Sequence, residues 1–410
     1  MKICIISKYP PIEGGVSSRV YWLAKALGER GHKVHVVTNS LEVEDEYREE
    51  LDLNDPNFMP KNVYVHSTDP SPTLEANPSH IPFSKMYCEK LASLAIEIIE
   101  EYNLELIDSR YLVPYSISGY LAKSLVGTPQ IISHAGSDLQ RLYPSPYLNC
   151  LLEKVLKNVD GIITNSSKAP FFANLGVPSG KIFIQPQTPV DLQAFNPKVA
   201  PFDLTAYVTN QNYFQGIPLI AYIGKITHHF ETKCLPELLK ACSMINEDFL
   251  LVLMANGNKI AELKALVKSE NIVEKVLFLP FFSPWMMPSI LKSCTCVVNL
   301  EGASSPTLDY HVPTTPMEAM ATGRCVLMSE ELHEKEPYNK LEEDKEVLVV
   351  NPKDVNKIKE TLETLIRKPS IAEDIGANSL KAISQGESIE GYAEKTTQIY
   401  RSILNTKKAK

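Results

Sequence analysis

Short apolar segments alternate with amphipathic segments along most of this chain, and the alternation occurs in two series. The first series opens with strand formers at Ile3–Ile6 and a glycine turn at Gly14-Gly15. Apolar residues then recur at helical spacing from Val16 to Leu27, before a second strand at Val34–Val37. Strands that are apolar on both faces are typical of a parallel sheet covered by helices on both sides. The pattern therefore predicts an α/β fold with a doubly wound, Rossmann-like sheet.

The first series continues with segments of the same two kinds. We predict a helix over 85–101 and strands at 63–66, 104–108, 131–133, 161–164 and 182–184. Ser17 or Ser18 is available to cap the first helix, and Gly31 to end it. The stretch 41–82 is rich in Asp, Glu, Pro and Asn, which predicts surface insertions around one strand.

A second series follows a stretch without helical periodicity at 196–217. We predict strands at 219–223, 249–254, 276–279, 296–300 and 324–328, and helices at 232–244, 258–269, 286–292 and 315–322. A chain of 410 residues fits two domains. The expected division is an N-terminal domain over 1–200, a linker over 201–217, a C-terminal domain over 218–388, and a helix with a frayed tail over 389–410. Such a pair would bind its ligand in the crevice between the domains, at the carboxyl ends of the strands.

Charge and cysteine usage exclude several functional classes. The 41 basic and 49 acidic residues give a net charge of −8, which argues against nucleic-acid binding. The eight cysteines form no Cys-x-x-Cys pair and have no further zinc ligands at suitable spacing, so we expect buried, reduced thiols in a cytoplasmic protein. Cys294 and Cys296 are expected on one face of a strand. Apolar runs are only strand-sized, which predicts neither a signal peptide nor a membrane span and leaves peripheral membrane contact open.

Glycines and lysines follow predicted strands where a ligand would bind. Gly14 and Gly15 would let the backbone approach an anion at a helix N-terminus, although such turns also simply join a strand to a helix. They form neither a Gly-x-Gly-x-x-Gly fingerprint nor a P-loop. Lys225 follows the first strand of the second series, with Lys233 eight positions later. Two converging ammonium groups would bind a diphosphate, and the alternative is two solvated surface lysines.

The segment from Thr314 to Gly323 carries the most information. Thr314 and Thr315 precede a short predicted helix, where they would cap it and leave amides facing an anion. Glu318 lies in the first turn, where its carboxylate would accept hydrogen bonds from ribose hydroxyls. The alternative is an ordinary capped helix with a surface glutamate.

These segments together resemble the GT-B-fold retaining glycosyltransferases of family 4, the glycosyl transferases group 1. The likeness extends over nearly the whole chain and depends on the order of five segments: Gly14-Gly15 with its helix, His134-Ala-Gly-Ser-Asp138, Pro189-Val-Asp191 with Phe195, Gly224-Lys225 with Lys233, and Glu318-Ala-Met-Ala-x-Gly323.

The resemblance implies roles for individual residues. Lys225 and Lys233 would hold the donor diphosphate, Gly15 would meet that phosphate from the other domain, and His134 would lie beside the transferred sugar. The implied catalytic set is His134, Lys225 and Lys233. The implied donor-binding set is Gly14, Gly15, Lys225, Lys233, Asp309, Tyr310, Thr314, Thr315 and Glu318. For His134 the alternative is an ordinary loop histidine.

One position departs from the family pattern. The first glutamate of the Glu-(seven residues)-Glu signature should stand at position 310, where this chain has Tyr310. In the family that glutamate contacts the donor sugar. Asp309 is adjacent and Glu301 lies further upstream, so either carboxylate is a candidate replacement.

The implied reaction is transfer of a hexose from a UDP- or GDP-sugar to an acceptor hydroxyl, with retention of anomeric configuration and without a metal or other cofactor. The acceptor stays open among glycans, lipid-linked sugars and small molecules, and so does the oligomeric state. Tyr310 favours one alternative, a non-catalytic GT-B scaffold or activator subunit. A GT-B nucleotide-sugar epimerase or phosphorylase is the other.

Overall fold

The protein divides into two compact units in a computed structural model. The structure describes residues 1–70, 86–208, 216–227, 230–302 and 312–408. The first unit is Met1–Pro189 together with Ile389–Lys410, and the second is Val190–Ser388. The chain thus leaves the first unit before the linker that we predicted at 201–217. The C-terminal segment, which we predicted as a separate helix and tail, belongs to the first unit.

The first unit is built on one parallel sheet, as the apolar strand pattern predicts. Its described strands are β1 (Lys2–Ile6), β2 (Lys33–Thr38), β3 (Val63–Ser67), β4 (Leu106–Arg110), β5 (Gln130–Ser133), β6 (Gly161–Thr164) and β7 (Ile182–Ile184). They run in the order β3-β2-β1-β4-β5-β6-β7, and every neighbouring pair is parallel. The helices between them are α1 (Gly15–Glu29), α2 (Tyr87–Tyr102), α3 (Ile117–Val126), α4 (Ser137–Arg141), α5 (Asn149–Asn158) and α6 (Ala169–Asn174).

The first helix begins earlier than its serines indicated. Gly14 is its N-cap with φ of +111°, a backbone conformation that favours glycine, and no side chain caps the helix. Ser17 is buried inside the first turns instead. Helix α1 ends at Glu29, and Gly31 follows it with φ of +84°. The predicted serine cap is therefore wrong, because the glycine turn itself starts the helix.

The second unit repeats the architecture with a smaller parallel sheet. Its described strands are β8 (Leu219–Ile223), β9 (Leu250–Met254), β10 (Val276–Leu279), β11 (Cys296–Asn299), β12 (Cys325–Ser329) and β13 (Leu348–Val350), in the order β10-β9-β8-β11-β12-β13. The helices are α7 (Leu235–Ser243), α8 (Ile260–Ser269), α9 (Met287–Ser293), α10 (Thr315–Ala321), α11 (Glu330–His333), α12 (Val355–Arg367) and α13 (Pro369–Ile383).

Helix α14 (Ile389–Lys408) brings the end of the chain back to the first unit. The amide of Gln185 donates a 2.8 Å hydrogen bond to the hydroxyl of Thr396 in this helix. The ammonium of Lys407 donates to the carbonyl of Gly127. The helix therefore continues through Lys407, where we had predicted a frayed tail.

The cysteines are all free thiols, and Cys150 is the exposed one among them. Cys294 lies at the end of α9, before β11 begins at Cys296, so the predicted placement of both on one strand face is wrong. In the described part of the chain, no group of three or more His, Cys, Asp or Glu side chains could hold a metal ion. No helix within the described ranges has both the length and the apolar character needed to cross a membrane.

Each sheet has a switch point. There, two neighbouring strands are followed in sequence by strands that lie on opposite sides of the pair. In the first unit β1 leads to β2 on one side while β4 leads to β5 on the other. In the second unit β8 and β11 stand in the same relation. Crevices at the carboxyl ends of such strand pairs are where open α/β sheets bind ligands.

Candidate functional site

The switch point of the second unit carries most of the predicted donor-binding residues. Gly224 and Lys225 directly follow β8, and Glu301 lies two residues beyond the end of β11. Glu301 is only 6% exposed, although it is charged. Its carbonyl accepts a hydrogen bond from the Ser329 hydroxyl at the end of β12, which holds the segment after β11 against the neighbouring strand.

The loop that carries Lys225 is held from the side by the loop after β9. Ile226 donates its N–H to the carbonyl of Asn256 at 2.8 Å, and Gly224 donates to the carbonyl of Met254 at 3.1 Å. Gly257 has φ of +129°, and a Cβ at this position would lie 2.4 Å from the carbonyl oxygen of Ile226. Only glycine allows this close approach of the two loops.

Lys233 reaches the same loop from the segment before α7. A Cβ added to Gly224 would lie 3.4 Å from the Nζ of Lys233 and 2.5 Å from the hydroxyl oxygen of Tyr222. Burial raises the pKa of Tyr222, the ammonium of Lys233 opposes that rise, and the carboxylate of Glu301 adds to it. The ammonium, the phenol and the carboxylate therefore lie close together at the end of β8.

Glu318 lies at the same edge on α10 and is 8% exposed. The fully buried hydroxyl of Tyr338 donates to the carbonyl of Pro313, next to the helix. Burial raises the pKa of Tyr338, and the carboxylates of Glu318 and Glu301 add to the rise. Both glutamates thus lie near Tyr338.

The helix that carries Glu318 has no side-chain cap. Thr314 is the N-cap residue, but its backbone is already helical and its hydroxyl does not accept a capping hydrogen bond. The first turn closes through the N–H of Glu318, which donates to the carbonyl of Thr314 at 3.0 Å. The predicted capping by Thr314 and Thr315 is therefore wrong, because the backbone makes this turn.

His134 lies beyond the carboxyl end of β5 in the first unit. Its Nε2 lies 2.7 Å from the hydroxyl oxygen of Thr164, at the end of β6, and its ring packs on Phe172. Burial, with a contribution from the ammonium of Lys168, lowers the pKa of His134 to about 4. The imidazole is therefore neutral at neutral pH, and it can take part in hydrogen bonds but cannot supply positive charge.

Asp138 shapes the loop that carries His134. One carboxylate oxygen accepts the N–H groups of Ala135 at 3.0 Å and Leu139 at 2.9 Å, and the other accepts the N–H of Leu112 at 3.0 Å. Asp138 is completely buried, so these bonds replace its hydration. It joins the loop after β5 to the segment after β4.

Comparison with known families settles the classification. The model described as "Glycosyltransferase Family 4" matches residues 13–187, and the model described as "Glycosyl transferases group 1" matches residues 210–382. Together the two matches cover most of both units. The chain belongs to glycosyltransferase family 4.

Similar proteins agree with this classification. The N-acetyl-α-D-glucosaminyl L-malate synthase of Bacillus anthracis is 24% identical over 284 residues, which is 68% of each protein. The sucrose-phosphate synthase of Thermosynechococcus elongatus has a TM-score of 0.65 at 18% identity, with 99% of each chain covered. HepE of Anabaena, solved in complex with UDP and glucose, has a TM-score of 0.68 at 14% identity, covering 98% of this chain and 100% of the other. The family's GT-B fold is thereby confirmed.

The structure brings some predicted site residues of this family 4 protein together. Lys233 lies at the loop of Gly224, and Glu318 lies at the same sheet edge beside Tyr338. Asp309 and Tyr310 lie outside the described residues. Gly14, Gly15 and His134 belong to the first unit, and their predicted contacts with the donor stay predictions.

Four residues of the site were missed at the sequence level. Tyr222 and Tyr338 are tyrosines in apolar surroundings, and sequence alone does not reveal that their hydroxyls face charged groups. Gly257 was detectable, because the Asn256-Gly257 pair follows a predicted strand and marks a tight turn. Asp138 was part of the recognised motif, but its bond to Leu112 depends on the neighbouring strand.

Proposed function

We propose that this chain transfers a hexose from a UDP-sugar to an acceptor hydroxyl. Membership in glycosyltransferase family 4 supports sugar transfer. The structurally similar HepE was solved with UDP and glucose, which favours uridine as the base over guanosine. The observation that carries the proposal is the position of Lys233, whose ammonium lies against the Gly224 loop at a switch point.

In this proposal Lys233 and Lys225 bind the diphosphate and stabilise the charge that develops as it leaves. The Tyr222 hydroxyl lies beside Lys233, and the buried Glu301 carboxylate acts on the same hydroxyl. In the same proposal Glu318, in the first turn of α10, accepts hydrogen bonds from the ribose hydroxyls. Lysine ammonium groups would thus do the electrostatic work that a divalent ion does in other transferases, so EDTA should leave turnover unchanged.

We further propose that transfer retains the anomeric configuration, as the family resemblance implies. Proton NMR of the glycoside product, compared with that of the donor, would distinguish the α from the β anomer, because the transferred anomeric centre does not mutarotate. The appearance of an inverted product would contradict this part of the proposal while leaving sugar transfer intact.

The decisive experiment is a panel of UDP- and GDP-sugars with donor hydrolysis and transfer as readouts, applied to wild type and Lys233→Ala. We expect the substitution to lower turnover by about 10²- to 10³-fold, because one preorganised charge on the leaving group is lost. Lys240→Ala is the matched control, since Lys240 lies on α7 in the same unit with 57% of its side chain exposed. Near-normal turnover in Lys233→Ala would contradict the diphosphate role.

Nucleotide binding by the wild-type protein tests the scaffold alternative. A non-catalytic subunit would show no thermal stabilisation by UDP, GDP or ADP, whereas a ligand that binds the folded state raises the melting temperature. Absence of stabilisation by all three nucleotides would contradict the enzyme proposal. Conversion of a nucleotide sugar into its epimer, without any acceptor, would instead favour an epimerase.

A further inference from the structure

The switch point of the first unit also carries a charged and strained cluster. Lys8 follows β1, and Tyr111 follows β4 immediately beyond its last residue. The two strands are neighbours whose connections leave in opposite directions. The hydroxyl of Ser7 donates to the carbonyl of Arg110 at 3.1 Å, which joins the two strand ends. A ligand that enters this crevice would meet Lys8 and Tyr111.

Tyr111 is held in an unfavourable backbone conformation at this point. Its φ is +87°, in the region that bulky L-residues avoid. Its N–H donates to the carbonyl of Ser133 at 2.9 Å, and the next N–H, that of Leu112, donates to the buried carboxylate of Asp138. The surrounding bonds thus hold the Tyr111 ring in a defined position.

Two cationic side chains, Lys8 and Arg141, act on that ring. The ammonium of Lys8 lies 4.6 Å from the ring centroid, over its face. Burial raises the pKa of Tyr111, with an added rise from Asp138, while the side chains of Ser137 and Arg141 oppose the rise. Asp138 is the acidic group near the ring, but it is buried and bonded to three backbone N–H groups.

Arg141 completes the cluster from the end of α4. It is exposed, and in the described part of the chain no acidic side chain forms an ion pair with it. Lys168, whose charge lowers the pKa of His134, follows β6 in the same sheet. A neutral sugar acceptor has no need of such a set, whereas a carboxylate or phosphate group would be bound by charge-assisted hydrogen bonds.

We propose that this cluster, composed of Lys8, Tyr111 and Arg141, binds the acceptor, and that the acceptor carries a carboxylate or phosphate group beside its reactive hydroxyl. The inference deepens the proposed function and rests on it, since it names the acceptor class of the same reaction. Lys8 and Arg141 bind the anionic group, and the ring of Tyr111 packs against the acceptor's carbon skeleton.

The test uses the full chain with the UDP-sugar that gives turnover and three acceptor classes: hydroxy acids, sugar phosphates, and neutral sugars of matched size. We expect transfer to at least one anionic class and little to the neutral class. Activity with hydroxy acids identifies a carboxylate, and activity with sugar phosphates identifies a phosphate. Equal use of neutral and anionic acceptors would overturn the proposal.

Variants separate binding from a structural role of the cluster. Lys8→Gln and Arg141→Gln should each raise the KM for the anionic acceptor about tenfold or more, several times the change in the KM for the donor. Lys61→Gln, at an exposed lysine before β3, is the control and should leave both KM values unchanged. A purely structural role for Lys8 would lower the melting temperature and affect both substrates alike, which would overturn the assignment.

The two proposals fail differently. If neither nucleotide binding nor donor hydrolysis occurs with any nucleotide sugar, the proposed function itself is wrong. If donor hydrolysis occurs but anionic acceptors are not used, or if the KM for an anionic acceptor is unchanged in both glutamine variants, only the acceptor assignment is wrong.

Discussion

His35 on β2 is buried among aromatic rings, which is unusual for a titratable side chain. It is 3% exposed, and its Nδ1 lies 3.1 Å from the Nε2 of His66 on β3. The rings of Tyr64 and Tyr102 lie 4.8 and 4.4 Å away, centroid to centroid. Burial, the neighbouring His66, and the ammonium groups of Lys33 and Lys2 lower the pKa of His35 to about 4, while Glu101 opposes this.

This histidine should make the first unit sensitive to acid. In the unfolded chain its pKa is near 6.5, so below that pH the unfolded state binds more protons and folding stability falls as the pH drops toward 4. The loss has an upper bound of about 3–4 kcal/mol. His35→Gln should give a shallower dependence on pH in urea unfolding between pH 7 and 5.

Trp22 is the probe for that measurement, in a Trp285→Phe background, because Trp22 lies in the first unit and Trp285 in the second. His333→Gln, a change in the second unit, serves as the control and should leave the Trp22 curve unchanged. Parallel pH dependences for wild type and His35→Gln would show that the buried histidine does not contribute.

The loop between β9 and α8 matters at the scale of elements. It supports the loop of Lys225 through the Ile226 to Asn256 hydrogen bond and the close approach of Gly257. No ligand is needed to explain why Gly257 is a glycine. Its role in the site is to hold the neighbouring loop in place.

Gly257→Ala should therefore disturb the donor site from outside it. The new Cβ would collide with the carbonyl of Ile226 and also adopt an unfavourable φ, so we expect a loss of about 1–3 kcal/mol in the second unit and a raised KM for the donor. Trp285 fluorescence in a Trp22→Phe background reports the unfolding. Gly180→Ala is the control, since a Cβ there meets no atom within 4 Å. Equal effects of the two substitutions would argue against the steric explanation.

Helix caps show the limit of local sequence rules at this scale. Serines and threonines near the starts of α1 and α10 predicted side-chain caps, yet both helices begin without one. A side chain caps a helix only if the entering chain has the right direction, and here a glycine turn and an already helical Thr314 determine that direction. Strand positions were more predictable: β8 and β10 match the predicted bounds at both ends.

At the scale of the whole molecule, the return of α14 to the first unit is the main feature that the sequence did not reveal. The hydroxyl of Tyr400 donates to the carboxylate of Asp108, which is completely buried at β4. The Nε of Arg110 donates to the same carboxylate oxygen at 2.9 Å. The end of the chain thus completes a buried polar network under the switch point of the first sheet.

Tyr400→Phe should weaken this connection without creating a cavity. Removing one hydrogen bond to a buried carboxylate should cost about 1.5–3 kcal/mol in the first unit, measured by urea unfolding with Trp22 as the probe. Ser402→Ala, an exposed change on the same helix, should change stability by less than about 0.5 kcal/mol. An unchanged unfolding free energy in Tyr400→Phe would mean that Arg110 alone satisfies the carboxylate.

The sequence alone determined the two α/β units, most of their strands and the family. The spacing of apolar residues shows which strands are buried on both faces, and the order of the family's motifs can be read from the sequence without a structure. The tertiary structure decided which side chains meet: Lys233 with Tyr222 and Glu301, Tyr400 with Asp108, and Lys8 with Tyr111. Apart from Tyr222 and Lys233, these residues lie far apart along the chain, and they come together because the order of strands differs from the order of sequence and because α14 returns to the first sheet. Local sequence patterns do not reveal the spatial order of the strands. The polar neighbours of a buried charge can therefore be identified only in the folded units.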